Sequence, residues 1–392
     1  MPVSHAQAKV SSLLEMIAGI TDPRDPRGVR HPLVAVLGVA VLVTLAGAAN
    51  YREMGSTAAD LPQRLLDLLR CRRHPVSGRC LAPSAATLRR VLIEVDADAL
   101  DAAVGAWLRR HAACHAQGWT IALDGKDLHG SWNADGRLVL FSAMTHRRDG
   151  QDAIVLGQVA VPTDTTETTQ VRTLLETMEL DLTGALVTAD AAHTCAETAR
   201  YLVEEANADY LLAVKGNRSS LYAAAVTAAR DLIAGDPHHV ITERGHGRIN
   251  RWATWAATID EDLGLPHAAR LAVIRRDVAD LAGSPRSKEV VIMITSRAHL
   301  SAAEISAHTR THWGIENLEH RSRDTVWLED DHQAYLGHGP RVLATLRNLA
   351  LGLFSIHGIS KIKETVQAIG RNPLRAIPLI TQSHIEPSTV RL

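Results

Sequence analysis

The sequence predicts a mixed α+β protein: a helical amino-terminal domain over residues 1–115, then an α/β catalytic-type domain over 116–392 with a β-rich insertion at about 238–300. Three observations predict it. Apolar residues recur at helical spacing up to residue 115, they form short alternating or continuous runs from Trp119, and helical spacing returns after Ser301. A chain of 392 residues can hold two or three domains with a large core. Its 46% apolar and 22% charged content excludes a disordered or fibrous chain.

The elements follow in order. Ser11 to Ile20 has helical spacing and is stopped by Asp22-Pro-Arg-Asp-Pro-Arg27. The 17 residues from Leu33 to Ala49 carry no charge; they sit at the short limit for a membrane span and are expected as a buried helix. Leu61 to Leu69 is a further helix. Pro83-Ser84 opens another, whose Ser84 cap and Arg89-Arg90 pair resemble the second helix of a helix-turn-helix, with both arginines as candidate phosphate contacts. Ala99 to Arg110 closes the helical region. Trp119–Leu123, Arg137–Met144 and Ala153–Val161 are expected strands, joined by polar turns at Asn133-Ala-Asp-Gly136 and Arg147-Arg-Asp-Gly150. A helix (Thr168–Leu180), a strand (Gly184–Thr188), a helix (Cys195–Asn207), a strand (Tyr210–Val214) and a helix (Ser219–Ala234) follow. The order β-β-β-α-β-α-β-α is the one a ribonuclease-H-like core requires. Strand-like alternation at Val240–Thr242, Trp252–Ile259, Ala269–Ile274 and Glu289–Thr295 marks the insertion. Helices are expected from Ser301 through Glu316 and over Arg341–Phe354.

Charge and cysteine usage narrow the partners. A net charge of −1 gives no overall attraction for nucleic acid, so any phosphate recognition must come from clustered Lys and Arg. Cys71, Cys80, Cys114 and Cys195 form no Cys-x-x-Cys pair; they are expected as reduced thiols, and with no secretory leader evident the expected location is cytoplasmic. His111, Cys114 and His115 have zinc-ligand residue types, although a plain helix end is the expected reading.

Three carboxylates carry the candidate chemistry. Asp124 in Ile121-Ala-Leu-Asp-Gly-Lys126 and Asp190 in Ala185-Leu-Val-Thr-Ala-Asp190 each close an apolar run and are expected at strand ends, while Glu316 in His312-Trp-Gly-Ile-Glu-Asn317 is expected on a helix. Carboxylates converging from two strands and a helix can hold two divalent ions beside a phosphodiester. Mg²⁺ takes hard oxygen ligands and keeps several waters, so a few carboxylates suffice.

The motifs around these residues resemble one family. Asp124-Gly-Lys126 with His129-Gly-Ser131 is similar to the first-Asp motif of the H-repeat-associated insertion-sequence transposases (the ISAs-one group), and Thr188-Ala-Asp-Ala-Ala-His193 resembles the second. Asp209-Tyr-Leu-Leu-Ala-Val-Lys-Gly-Asn217, Gly245-His-Gly-Arg248 and His312-Trp-Gly-Ile-Glu-Asn317 with Glu329-Asp330 resemble the following strand, the basic insertion motif and the Glu motif. Asp22-Pro-Arg24, His31-Pro-Leu33 and Leu45-Ala-Gly47 resemble the preceding helical domain.

The resemblance implies a DNA transposase that cuts element ends and joins them to target DNA. Asp124 would bridge two Mg²⁺ (or Mn²⁺) ions, Asp190 would hold the first and Glu316 the second. Implied partners are DNA, as terminal inverted repeats and target, and a second copy of the chain to synapse two ends, with no membrane. Expected DNA contacts are Lys126, Lys215, Asn217, the basic run Arg244, His246, Arg248 and Arg251, and, around the Glu motif, His312, Trp313 and Arg323, with Trp313 a candidate for base stacking. Glu316 is expected to share a helix face with His312, His320 and Arg323. The family's phosphate-gripping Tyr, Arg and Lys correspond here to Thr309, His312 and Arg323; its Leu-His-Trp is here Leu318-Glu-His-Arg321, and its Lys-Thr-Asn-Glu is Asp164-Thr-Thr-Glu167. Two rival readings are a nuclease of the same fold without strand transfer and a non-catalytic DNA-binding descendant; the intact carboxylates count against the second.

Overall fold

In the computed structural model, which describes residues 13–112, 118–133, 136–146, 153–245, 247–331 and 333–381, the chain is mixed α+β as its sequence predicts. A short helix α1 (13–18) precedes α2 (Leu33–Leu45), α3 (Tyr51–Ala59), α4 (Gln63–Leu68), α5 (Ala85–Glu94) and α6 (Ala97–His111). Strands β1 (Thr120–Asn133), β2 (Gly136–Thr145) and β3 (Val155–Val161) follow, then α7 (Gln170–Thr177), β4 (Leu186–Ala189), α8 (Ala196–Arg200), β5 (Asp209–Val214) and α9 (Ser219–Ala234). This is the expected β-β-β-α-β-α-β-α order. Next come β6 (His239–Gly245), β7 (Arg248–Thr258), β8 (Arg270–Asp280) and β9 (Pro285–Thr295), then α10 (Ala302–His312), α11 (Arg321–Trp327), α12 (Gly339–Ile356), α13 (Ile362–Arg371) and α14 (Ile377–Thr381). The polar turn expected at Arg147–Gly150, part of that at Asn133–Gly136, and the candidate ligands Cys114 and His115 lie outside the described residues.

The contacts group the chain differently from a sequential split at 115. One unit takes Met1–Ala113, Gly125–Thr166 and Glu316–Leu392; the other takes Cys114–Asp124 and Glu167–Ile315. The boundary passes through β1. The reason in the first unit is α12, whose apolar residues share one core with α2, α5 and α6, so a helix late in the sequence packs with early ones. Helix α2 is apolar on every side and is buried at every residue except Val34, as a helix without a polar face must be. Among the described residues no helix is long and apolar enough to cross a membrane.

Small residues permit close helix crossings in this unit. A Cβ at Gly55 of α3 would stand 2.3 Å from that of Ala85 at the start of α5, and one at Gly352 of α12 would meet Leu108 Cδ2 of α6 at the same distance. Two buried polar layers cross the same core. In one, Asp101 of α6 accepts from Gln158 Nε2 (2.8 Å) and Arg341 Nε (2.6 Å), and Asn348 Nδ2 donates to Gln158 Oε1 (2.9 Å), tying α6 to β3 and α12. The other layer contains Glu319, Arg323, Glu329 and Arg347. Strands β2 and β3 pair antiparallel from Val139↔Val161, with a register shift at Ala143/Met144, and β2 neighbours β1.

In the second unit the strand order is β1-β4-β5-β9-β8-β7-β6. Pairs β1–β4 and β4–β5 are parallel and all later pairs are antiparallel. The segment expected as a β-rich insertion extends the same sheet, because β9 pairs with β5 from Leu211↔Thr295 to Val214↔Ile292. Side-chain alternation along β7 serves two helices: Trp252 packs in the core with Ile305 of α10, while Trp255, three residues on, donates its indole N–H to Gly235 O at the end of α9. Helix α10 starts with a full capping box, Ser301 accepting from Glu304 N and the Glu304 side chain accepting from Ser301 N.

Candidate functional site

Two of the three expected carboxylates are brought together by strand register. Strands β1 and β4 pair in parallel from Thr120↔Leu186 to Leu123↔Ala189. The next residue on each strand is an aspartate, so Asp124 and Asp190 emerge from the paired stretch on adjacent strands. One expectation needs correcting: Asp124 is not at a strand end, since β1 continues to Asn133. The apolar run stops at Leu123 because the pairing with β4 stops there, while the more polar continuation has β2 as its neighbour. Asp190 is a true strand-end residue. Its carboxylate accepts from Ala192 N at 2.9 Å and caps a one-turn 3₁₀ helix, Ala191–His193, while its side chain stays 47% exposed.

A buried layer backs Asp190. His193 is 1% exposed, and its Nε2 lies 3.8 Å from both Asp190 Oδ1 and Glu167 Oε2. Burial lowers the His193 pKa below its ordinary value, against the opposing pull of Asp190. His312 at the end of α10 sits 2.8 Å from Thr188 Oγ1 on β4. Its pKa is pushed down to about 4, chiefly by burial, with Asp190 pulling it up and His193 pushing it further down. Both imidazoles are therefore neutral at pH 7. Asn217 donates from Nδ2 to Ala191 O at 2.8 Å, which pins the loop after β5 to the Asp190 turn, and Lys215 in the same loop is exposed.

Glu316 lies in the first unit, exposed, on a π-helical turn, Ile315–His320. Helical backbone is thus present at Glu316 as expected, but in π rather than α form. Helix α10 ends at His312, and the wider π hydrogen bonding removes the four-residue periodicity that was to align His312, Glu316, His320 and Arg323 on one face. Arg323 is corrected as well. It is 0% exposed, with Nε donating to Glu329 Oε2 (2.7 Å) and Nη1 to Glu319 Oε1 (3.0 Å), so its guanidinium is turned inward rather than toward a phosphate. Lys126 is similarly taken up: 7% exposed, its Nζ lies 2.8 Å from Asp324 and 3.4 Å from Asp330. His320 is pushed down to about 3 by burial, with Arg323 and Lys126 adding to the effect.

The remaining expected contacts divide by exposure. Arg89 and Arg90 are exposed on α5, and Arg244 and Arg248 are exposed at the β6–β7 hairpin, whose His246 lies outside the described residues. Arg251 is half-buried and 3.6 Å from Asp277. Trp313 packs on Trp252 with ring centroids 5.7 Å apart, and the Arg276 guanidinium lies 4.9 Å from the Trp252 ring and 5.8 Å from that of Trp313. Its ring is engaged within the fold, not held out for a base. Among the expected phosphate-gripping positions, Thr309 is also buried and bonds Ile305 O at 2.8 Å.

Sequence reasoning missed three residues as partners. Glu319 was visible only within Leu318-Glu-His-Arg321, Arg347 lay in a helical stretch without a motif, and Glu329 was visible only as part of Glu329-Asp330. The one available signal was the four-residue Glu319–Arg323 spacing, which matches a helix-surface ion pair. Among the described residues no group of three or more His, Cys, Asp and Glu side chains is clustered closely enough to hold a metal ion. The chemistry of the Asp124–Asp190 pair nonetheless fits Mg²⁺, which is commonly bound by one or two carboxylates, with substrate phosphates and water completing its shell.

Comparison with known proteins agrees with these motifs. A family model described as "Transposase DDE domain" matches residues 113–353, and one described as "DDE_Tnp_1-associated" matches residues 14–108. The "Putative transposase YncI" of Escherichia coli O157:H7 is 27% identical over 362 residues, covering 88% of this chain and 87% of that protein. The "H repeat-associated putative transposase YhhI" of Escherichia coli (strain K12) is 25% identical over 389 residues, covering 94% and 98%.

Proposed function

Since the chain belongs to the transposase DDE domain family, we propose that it cleaves DNA at the ends of a mobile element and joins the freed ends to target DNA, with Asp124, Asp190 and Glu316 as the three acidic residues of its site. The observation that carries this reading is the register of β1 and β4, which sets Asp124 and Asp190 on neighbouring strands with one of them open to solvent. Two Mg²⁺ or Mn²⁺ ions, when bound, would supply activation of the attacking oxygen and stabilisation of the departing one.

The protein's own residues would do the rest. Asp124 and Asp190 provide fixed oxygen donors, Asp190 being held by the Ala192 N–H. His193 and His312, kept neutral by burial, add no positive charge beside Asp190 that would compete with a cation. Lys215, Arg244 and Arg248, all exposed, are the side chains suited to grip phosphates, and Arg89 and Arg90 offer the same on α5. A homodimer is proposed because two element ends must be held at once.

The test uses labelled duplexes carrying the inverted repeats that flank the gene, incubated with the purified chain, Mg²⁺ and a target plasmid. Cleavage at the repeat boundary and joined products are expected from the wild type, and neither from Asp190→Ala. Cleavage without joining would reduce the reading to a nuclease; equal cleavage by Asp190→Ala would remove the proposed site.

A further inference from the structure

The segment that carries Glu316 adopts two unusual backbone states within a short stretch. Residues Ile315–His320 form a π turn, a rare backbone conformation that is found mostly as single turns within α-helices. At the end of α11, Leu328 is left-handed at φ 51°, a region that a residue with a bulky side chain seldom occupies. Such states persist where surrounding contacts over-determine them.

The contacts that do so here are a buried chain of charges. Glu319 of the π turn accepts from Ser142 Oγ (3.1 Å) and from Arg323 Nη1 (3.0 Å). Arg323 in turn donates to Glu329, the residue immediately after Leu328, at 2.7 Å. Glu329 accepts from Arg347 Nη1 of α12 at 2.5 Å, and Arg347 Nη2 donates to Ala49 O just past α2 at 2.9 Å. None of the four charged side chains is more than 2% exposed. Next to it, Trp327 Nε1 donates to Thr44 O of α2 at 2.8 Å. Two glutamates and two arginines balance, and the chain ends on the backbone of the amino-terminal helical region.

We infer that Glu329 and Arg347 are positioning residues for Glu316, and that the amino-terminal helices are the anchor against which the Glu316 turn is set. The inference rests on the reading of Glu316 as a metal-holding residue. Loss of the Glu329–Arg347 link frees the π turn to relax toward ordinary helix, which rotates Glu316 on its axis while leaving exposed DNA-contacting side chains untouched.

The test uses the full chain with the paired replacement Glu329→Met/Arg347→Met, which keeps the remaining Glu319–Arg323 pair balanced, and with the milder Glu329→Gln. Hydrogen exchange at the amides of residues 315–320 is measured without metal or DNA, alongside the Mg²⁺ concentration for half-maximal cleavage and the affinity for repeat DNA in EDTA. Faster exchange at 315–320 and a rise of about tenfold or more in the Mg²⁺ requirement, at unchanged DNA affinity, are the results expected, on the scale found when supporting partners of metal ligands are removed. Wild-type exchange and wild-type Mg²⁺ response in both variants would overturn the inference. If the wild type shows no metal-dependent cleavage, the reading of the reaction fails, and the exchange measurement alone decides the positioning claim.

Discussion

Leu123 and Ala189 face each other at the last paired position of two parallel strands, and each is followed directly by an aspartate. Side-by-side acids from adjacent strands repel unless a cation lies between them. Replacing either with alanine should therefore abolish Mg²⁺-dependent cleavage by about a hundredfold or more, the scale of losing a group aligned on reacting atoms. Thermal stability should fall little or rise. Gel assays of repeat cleavage, paired with melting curves, separate this outcome from simple unfolding.

The Glu329–Arg347 pair predicts an asymmetric stability response. Burial pushes the Glu329 carboxyl up, but Arg323 and Arg347 outweigh it and hold its pKa down to about 2. Arg347→Ala leaves Glu319 and Glu329 sharing Arg323 alone, one buried negative charge in excess, and should cost about 3–5 kcal/mol, whereas the double methionine replacement should be nearly neutral. Denaturant titrations of both variants check the difference.

Acidification should destabilise the protein through its buried imidazoles. Folded His312 and His320 have pKa values pushed down to about 4 and about 3, and that of His193 is also lowered, so the unfolded chain binds protons that the folded one refuses. Their contribution is complete above pH 6.5 and is lost as pH falls from 6.5 toward those lower values. At pH 5 the loss is about 2 kcal/mol for each of His312 and His320. Melting temperatures from pH 7.5 to 4.5 should drop, and His320→Gln should flatten part of that slope.

Exposed Arg244 and Arg248 at the β6–β7 hairpin are expected to act on DNA through charge alone. Replacing both with alanine should weaken binding to specific and random duplexes equally and lower the salt-dependence slope by about 2. Arg323→Lys, by contrast, should leave that slope unchanged, because the side chain is 0% exposed. Fluorescence anisotropy over a salt series reads both.

Helix crossing sets the last prediction. A methyl group at Gly55 would collide with the backbone of Ala85, 2.6 Å from its Cα, and the neighbour is the first residue of a helix rather than a flexible side chain. Gly55→Ala should destabilise the protein by about 1–3 kcal/mol. Circular dichroism melts are sufficient to see it.

Much of this was legible in the amino-acid order, and the limits have physical causes. Apolar periodicity revealed every strand and most helices, including α9, whose predicted bounds match the observed Ser219–Ala234, but not α3, α11, α13 or α14. The adjacency of Asp124 and Asp190 was foreshadowed by two apolar runs that each end in an acid. The continuation of β1 was not, because Gly125-Lys-Asp-Leu-His-Gly130 shows no clean alternation and its burial depends on a neighbouring strand. The π turn at Glu316 leaves no compositional mark. Arg323 looked solvent-facing because its compensating carboxylate, Glu329, lies beyond the helix end and the second arginine, Arg347, is on another helix altogether. Residue type says little about burial when the partner is remote.

The placement of β9 between β5 and β8 has a consequence for biogenesis. Strand β5 acquires its second neighbour only when β9, the last strand among the described residues, has left the ribosome, since Leu211 pairs with Thr295. Until then its backbone amides and carbonyls form an open edge flanked by apolar side chains, the kind of surface that recruits the wrong strand. A nascent chain stalled before residue 285 would be expected to associate with chaperones or with its own copies, and release of that stall is the moment at which the sheet seals.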